Sequence, residues 1–375
     1  MDGQELKIKT RGFDCRVYIR NDLLGEVGRA LRLLFPSGRA LLVSDQNVYP
    51  LYGDRVIESL TAEKWRVKTA LIKPGERSKT LAGAKQLYEA CFEAGLDRNS
   101  PVIALGGGVV GDLAGFVAAT FMRGVPLVMI PTSLLAQVDS SVGGKVAVNH
   151  SRGKNMIGAI YPPRLVFVDP LVLKTLSLRQ FRAGAAEVIK YGIIEDGAFF
   201  RRLEEEFDRL LAAEAGFLAE AVAAAVRSKA RVVEKDEFER DYRRILNFGH
   251  TIGHALEAAT AYRYYLHGEA VLIGMVLAVS LAEQLSYLDP APAGRINRLL
   301  GRLKVKKPPA GLTAREVIAK LEHDKKRRSD ELVFVLPNQI GSALMVPVND
   351  KKTIAAAINC YLGGNLNFIE KGTDN

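Results

Sequence analysis

Three of the five histidines, His250, His254 and His267, fall close together in NFGHTIGHALE and LHGEA. His250 and His254 stand four residues apart on a predicted helix, so their imidazoles leave the same face. Imidazoles at that spacing suit zinc, which usually takes a further protein ligand. Two carboxylates are candidates, Glu187 in AAEVIKYG and Glu269 in LHGEA. Glu187 sits in an apolar string of small residues, where a carboxylate is rarely buried unless paired or bound to metal. The alternative is structural: helix histidines bonded to backbone carbonyls, beside a Glu187–Lys190 ion pair. Spacing alone leaves open which two of the three histidines would ligate.

A second chemistry is written in GGGVVGD, Gly106 to Asp112, directly after the apolar run PVIAL. Gly106, Gly108 and Gly111 form GxGxxG at a strand-to-helix turn, where backbone can approach a pyrophosphate held at a helix N-terminus. The motif does not open the first βαβ unit, and no acidic residue follows about 20 positions on to grip a ribose. A plain tight turn is the competing reading. Upstream, PGERSK offers Glu76 for ribose hydroxyls and Lys79 as a cation, unless it is only a helix start with a favourable first-turn acid. Thr132 and Ser133 place hydroxyls at another helix N-terminus, where they would serve equally as caps.

Cations accompany these motifs: Arg123, Lys145, Lys154, Lys190, Lys229 and Arg243, with Lys325 and Lys326 in HDKKRR. Lysines in strings such as VGGKVAVN and EVIKYG are costly to bury unpaired, and a small anion bearing phosphate and carboxylate would offset that cost. HDKKRR by itself reads as a solvated surface run. The net charge of +10 comes from dispersed residues without an aromatic-basic signature, which argues against a nucleic-acid partner. No run offers the roughly 20 apolar residues of a membrane span, and MDGQELKIKT lacks a signal-peptide pattern. Cys15, Cys91 and Cys360 form no CxxC pair, which suits a reducing compartment and a cytoplasmic location.

The elements that must position these groups change character along the chain. Arg39–Ser44, Val67–Ile72, Pro101–Leu105, Pro126–Ile130 and Leu165–Val168 read as buried strands. Helical spacing runs through Ser78–Ala94 and Gly111–Phe121 between them. Alternation of this kind predicts βαβ units and a mainly parallel sheet, with Leu6–Thr10 and Cys15–Ile19 as an edge hairpin. From about Leu178 helical periodicity dominates, as in Phe199–Leu211, Glu214–Lys235 and Val271–Leu285. Glu331–Leu336 and Ile340–Val346 read as a late strand pair. The length suits two domains: an α/β nucleotide-binding domain over residues 1–177 and a mostly α-helical metal-binding domain over 178–375.

Taken together, SDQNVYPLYG, PGERSK, GGGVVGDLAGF, FMRG, PTSLLAQVDSSVGGK, NHSRGKNMIGAIYPP, AEVIKYGII, LNFGHTIGHALE, LHGEAV and HDKK resemble the 3-dehydroquinate synthase family of sugar-phosphate cyclases. The resemblance spans about Ser44 to Gly341. It implies an NAD domain followed by a helical domain holding a divalent metal, zinc or cobalt, in a homodimer. The implied metal ligands are Glu187, His250 and His267, which moves His254 to the substrate pocket. Implied NAD contacts are Asp45; Pro74, Gly75, Glu76, Arg77, Ser78 and Lys79; Gly108, Val109, Val110, Gly111 and Asp112; Thr132, Ser133, Lys145 and Lys154; and Val172, Leu173, Lys174 and Thr175. Lys145, Lys190, Lys229, Arg243, Asn247 and His254 are implied in catalysis. Arg123, Asp139, Asn155 and a lysine of the Lys325–Lys326 pair are implied in substrate binding.

The implied reaction turns 3-deoxy-D-arabino-heptulosonate 7-phosphate into 3-dehydroquinate and phosphate, with NAD used and regenerated in each turnover. The sequence departs from the family pattern at Val146, where Thr is expected beside a pocket, and at Asp241 and Asp330, in turns where Gly would permit positive φ. Ser133 also replaces a commoner Thr. The competing activities are a sister cyclase of the valiolone or deoxy-inosose type and a metal-dependent polyol dehydrogenase.

Overall fold

The computed structural model describes residues 4–10, 12–328, 332–364 and 369, with side chains for all of these except 323–328. Along the chain come β1 (Gln4–Lys9), β2 (Asp14–Ile19), α1 (Val27–Leu34), β3 (Arg39–Asp45), α2 (Tyr49–Ala62), β4 (Arg66–Ile72), α3 (Leu81–Glu93), β5 (Val102–Gly106) and α4 (Gly108–Thr120). β6 (Leu127–Pro131), the hairpin β7 (Lys145–His150) and β8 (Gly153–Ile160), and β9 (Leu165–Val168) follow. Then come α5 (Leu178–Ile194), α6 (Gly197–Leu211), α7 (Ala215–Lys235), α8 (His250–Ala259), α9 (His267–Gln284), α10 (Pro290–Leu300) and α11 (Ala314–Arg328). The strands β10 (Val333–Gln339) and β11 (Ser342–Pro347) precede α12 (Lys351–Leu362).

The chain divides into two compact units. The first contains residues 1–176 and 213–238, built on a seven-stranded sheet of order β1-β2-β9-β6-β5-β3-β4. Only β1 and β2 pair antiparallel; the other neighbours are parallel. β5, β6 and β9 are buried along their whole length, which is why they are continuous apolar runs rather than alternating ones. Leu42, Ile103, Val128 and Phe167 of the sheet share one core with Val27 and Leu31 of α1 and Val56 and Leu60 of α2. The β7–β8 hairpin, absent from the sequence reading, pairs outside the main sheet.

One helix departs from a single division near residue 177. α7 belongs to the first unit: Glu234 accepts from the Lys9 amide at 3.0 Å, and Asn21 donates to the Ala215 carbonyl. It shares helical periodicity with the helices around it in sequence, so that periodicity gave no sign of this return.

Among its described residues the second unit, residues 177–212 and 239–375, is mostly helical, with the antiparallel pair β10–β11 as its strands. Ser177 caps α5 by accepting from the Gln180 amide. Close approach of α5, α8 and α9 depends on missing side chains. A Cβ on Gly268 would lie 2.0 Å from the Ala183 carbonyl oxygen, and one on Gly274 would lie 1.9 Å from that of Gly249. Gly249 has φ of +79° at the head of α8, a conformation that favours glycine.

Gly268→Ala is therefore expected to push α9 from α5 and destabilise the fold by about 1–3 kcal/mol, the usual range for overpacking. A urea titration within a few tenths of a kcal/mol of wild type would contradict this packing account.

Candidate metal centre and nucleotide cradle

In the second unit, α5 carries Glu187, α8 begins at His250 and α9 begins at His267. Donor atoms of these three residues lie within 4.8 Å of one another. Glu187 is fully buried, and neither of its oxygens accepts a hydrogen bond. The buried Lys190 ammonium lies against Oε2 as an ion pair, leaving Oε1 facing His250 Nε2 at 3.6 Å. That separation is long for a hydrogen bond. It is close to the roughly 3.3 Å edge that two ligands make around a tetrahedral ion with bonds of about 2.0–2.1 Å.

The histidines are oriented from behind. His250 Nδ1 contacts the Phe248 carbonyl at 3.1 Å, and His267 Nδ1 contacts Glu257 Oε2 at 3.0 Å. Each contact engages Nδ1, the arrangement common in histidines that bind metal through the other ring nitrogen. Burial, with the Lys190 charge second, holds the His250 pKa well below the usual imidazole value, so the ring is neutral, as a metal ligand must be. These observations fit a divalent ion. The Glu187–Lys190 pair and the carbonyl-bonded histidine of the structural alternative are also present, and both coexist with ligation because each uses the opposite atom.

His254 is exposed, with its ring 5.4 Å from that of His250 and 5.7 Å from that of His267. Among the described residues a second set, His254, Glu257 and His267, also brings donor atoms within 4.8 Å of one another. Glu269, the other carboxylate raised by the sequence, is committed elsewhere: it takes a two-bond contact from Arg179 at 2.6 Å each and accepts from the Leu266 amide. Lys190 and Arg243 are buried, and Asn247 donates to Glu239 at 2.9 Å. Glu257, Glu239 and the Phe248 carbonyl escaped the sequence reading. For Glu257 the available signal was an acid on an otherwise apolar helix face in HALEAA, three residues after His254.

The first unit gathers the nucleotide candidates by topology. β3 pairs with β4 on one side and β5 on the other, so successive crossovers change direction there, the place where open α/β sheets bind ligands. Asp45 ends β3, Pro74 to Lys79 follow β4, Gly108 to Asp112 follow β5, and Thr132 and Ser133 follow β6. Val172 to Thr175 follow β9, tied back by Tyr52, whose hydroxyl donates to the Val172 carbonyl at 2.8 Å. Asp45 accepts from the Asn47 and Val48 amides, which folds its own turn. No side chain caps α4, so its first amides are open to an anion.

Lys79 is buried and pairs with Asp112 and with the Asn155 side-chain oxygen. Asn149 joins this group, donating to Glu76 at 2.8 Å and accepting from the Asn155 amide. Burial pushes the Asp112 carboxyl up, opposed by Lys79. Asn155, implied in substrate binding, thus sits in the Lys79 network. Asp139 accepts from the buried Lys229 at 2.7 Å. Lys145 opens β7 and is exposed, Lys154 lies on β8, and the exposed Arg123 occupies a left-handed turn with φ of +68°.

Two departures resolve differently from expectation. Val146 is buried, and its side chain fills the space beside Gly115 of α4, so it faces apolar packing rather than a pocket. Asp241 has φ of −145°, which does not call for glycine. The Lys325 and Lys326 side chains, Asp330, and Glu331 at the head of the late strand lie outside the described residues.

A family model described as 3-dehydroquinate synthase N-terminal matches residues 69–183, and one described as 3-dehydroquinate synthase C-terminal matches residues 184–327. The chain is 52% identical over 326 residues to the 3-dehydroquinate synthase of Desulforamulus reducens, covering 87% of this chain and 91% of that one. Among solved structures, the 2-epi-5-epi-valiolone synthase of Streptomyces hygroscopicus subsp. jinggangensis, with NAD+ and Zn2+ bound, superposes with a TM-score of 0.85 at 30% identity. It covers 95% of this chain and 98% of its own. A 2-deoxy-scyllo-inosose synthase complexed with carbaglucose-6-phosphate, NAD+ and Co2+ gives 0.84 at 26% identity, covering 95% and 99%.

The His250 environment carries a pH signature. Its folded pKa is depressed, so below about 6.5 the unfolded chain takes up a proton that the folded chain refuses. Stability of the metal-free protein should fall as pH drops through that value, and more for wild type than for His250→Gln. Urea midpoints at pH 7.5 and 5.5 measure this, and a wild-type-to-variant difference that does not change with pH would contradict it.

Proposed function

The chain belongs to the 3-dehydroquinate synthase family, and from that premise we propose that it converts 3-deoxy-D-arabino-heptulosonate 7-phosphate into 3-dehydroquinate and phosphate. This is a carbon–oxygen lyase reaction of the shikimate route to aromatic amino acids. The observation that carries the reading is the convergence of Glu187, His250 and His267 donor atoms in a chain whose glycine turn and Lys79–Asp112 pair lie at the sheet's switch point.

When bound, NAD supplies a reversible hydride acceptor and zinc or cobalt a Lewis acid that polarises an alcohol oxygen. The chain's own residues hold and discharge the substrate. Glu187, His250 and His267 form the metal set. The residues that follow β3, β4, β5, β6 and β9 form the NAD set, with Lys145 and Lys154. The open amides of α4 suit a pyrophosphate, and Lys79 keeps Asp112 and Asn155 in fixed positions.

Arg123, Lys145 and Lys190 bind the carboxylate and phosphate ends and stabilise charge that develops during elimination. Lys229 reaches substrate from its Asp139 anchor, and Arg243 adds a buried cation, so the sugar phosphate relieves the cost of these buried charges. Asn247 and the exposed imidazole of His254 hydrogen-bond the phosphate region; the substrate phosphate itself can accept the proton removed from carbon. A lysine of the Lys325–Lys326 pair completes the set of cations for the anionic substrate.

Among the described residues no helix is long and apolar enough to cross a membrane. The thiols of Cys15, Cys91 and Cys360 are free, and burial pushes the first two up to about 12. That supports a protein of the reducing cytoplasm, which we take to be a homodimer by family resemblance.

Given the heptulosonate phosphate and catalytic NAD, the protein should release phosphate without net NADH, and chelation should silence it. NADH accumulation without phosphate release would indicate a polyol dehydrogenase instead. His254→Ala should leave metal bound and lower turnover about 100- to 1,000-fold, the range for loss of one hydrogen-bond donor to developing charge. Metal lost with His254 would reassign the ligand set.

A further inference from the structure

Glu257 is nearly fully buried on α8, is not a member of the Glu187 donor set, and has no role in the function described above. Its Oε2 stands 3.0 Å from His267 Nδ1. Among the described residues two sets of donors share His267: Glu187 with His250, and His254 with Glu257. The distances separate them. The 3.6 Å between Glu187 Oε1 and His250 Nε2 suits two ligands flanking one ion. The 3.0 Å at Glu257 is an ordinary hydrogen bond, shorter than the roughly 3.3 Å that a tetrahedral ion imposes between ligands.

We propose that Glu257 is a positioning residue: it holds a proton on His267 Nδ1, leaves the Nε2 lone pair for the ion, and so directs that ion to Glu187 and His250 rather than to the neighbouring donors. An ionised carboxylate only accepts, so the contact fixes the proton on Nδ1 and therefore the tautomer. The same contact fixes the ring plane and raises the basicity of Nε2. Placement on α8 links the two ligand-bearing helices, because His250 opens the helix whose later turn carries Glu257. A purely structural acid would stabilise the fold without altering how tightly a metal binds.

The inference rests on the metal reading, and the test separates the two. Zinc affinity is measured by competition with a chromophoric chelator for wild type, Glu257→Gln and Glu187→Gln. Glu257→Gln should bind zinc about 10–100-fold more weakly, the usual effect of losing such a support, and its Co2+ form should show an altered visible spectrum. Glu187→Gln should lose tight binding. Wild-type zinc affinity in Glu257→Gln alone would overturn the positioning role; wild-type affinity in Glu187→Gln would overturn the metal reading itself. If Glu257→Gln does not fold, 15N NMR of the zinc-loaded wild type decides: a proton on His267 Nδ1 supports the role, and a proton on Nε2 overturns it.

Discussion

The carboxylate of Glu187 lies out of reach of water among apolar helix residues, with a lysine ammonium at one oxygen and an imidazole nitrogen 3.6 Å from the other. A lone carboxylate in that position would be strongly unfavourable. Lys190 compensates part of the charge. A divalent ion at Oε1 would compensate the remainder and also occupy the Nε2 atoms of His250 and His267. Much of the second unit follows from keeping those groups together: glycines at 249, 268 and 274 let α5, α8 and α9 approach until their backbones touch.

The first unit solves a different problem with different means. Its parallel strands end side by side, with Asp45 level with Ile72 and Gly106 level with Pro131. Turns leaving adjacent strand ends then share one edge of the sheet. Lys79 anchors two of them, reaching from the turn after β4 to Asp112 on α4 and to Asn155 on β8. A buried lysine held by one carboxylate and one amide oxygen is a stiff post, and the open first turn of α4 beside it is where backbone can meet a phosphate.

What could be read in the sequence follows from how directly each feature depends on local chemistry. The central strands were legible because burial on both faces demands unbroken apolar runs. Glu187 was legible because a carboxylate in AAEVIKYG conflicts with its surroundings. The i, i+4 pair His250 and His254 drew attention for a sound reason, since their rings do lie close together. Yet all three imidazoles lie at comparable separations, so the distinction depends on which ring meets the Glu187 carboxylate, a tertiary fact. Glu257 was missed because one acid in HALEAA also reads as an ordinary amphipathic helix. The return of α7 to the first unit was missed because its helical period says nothing about which body it packs against.

One ion shared by Glu187, His250 and His267 is what the proposed chemistry requires. Anomalous diffraction at the metal edge, from crystals of the zinc- or cobalt-loaded protein, tests it most directly. A single peak is expected about 2.0–2.2 Å from a Glu187 oxygen and from Nε2 of His250 and of His267. A peak seated among His254, Glu257 and His267, with Glu187 bonded only to Lys190, would contradict it.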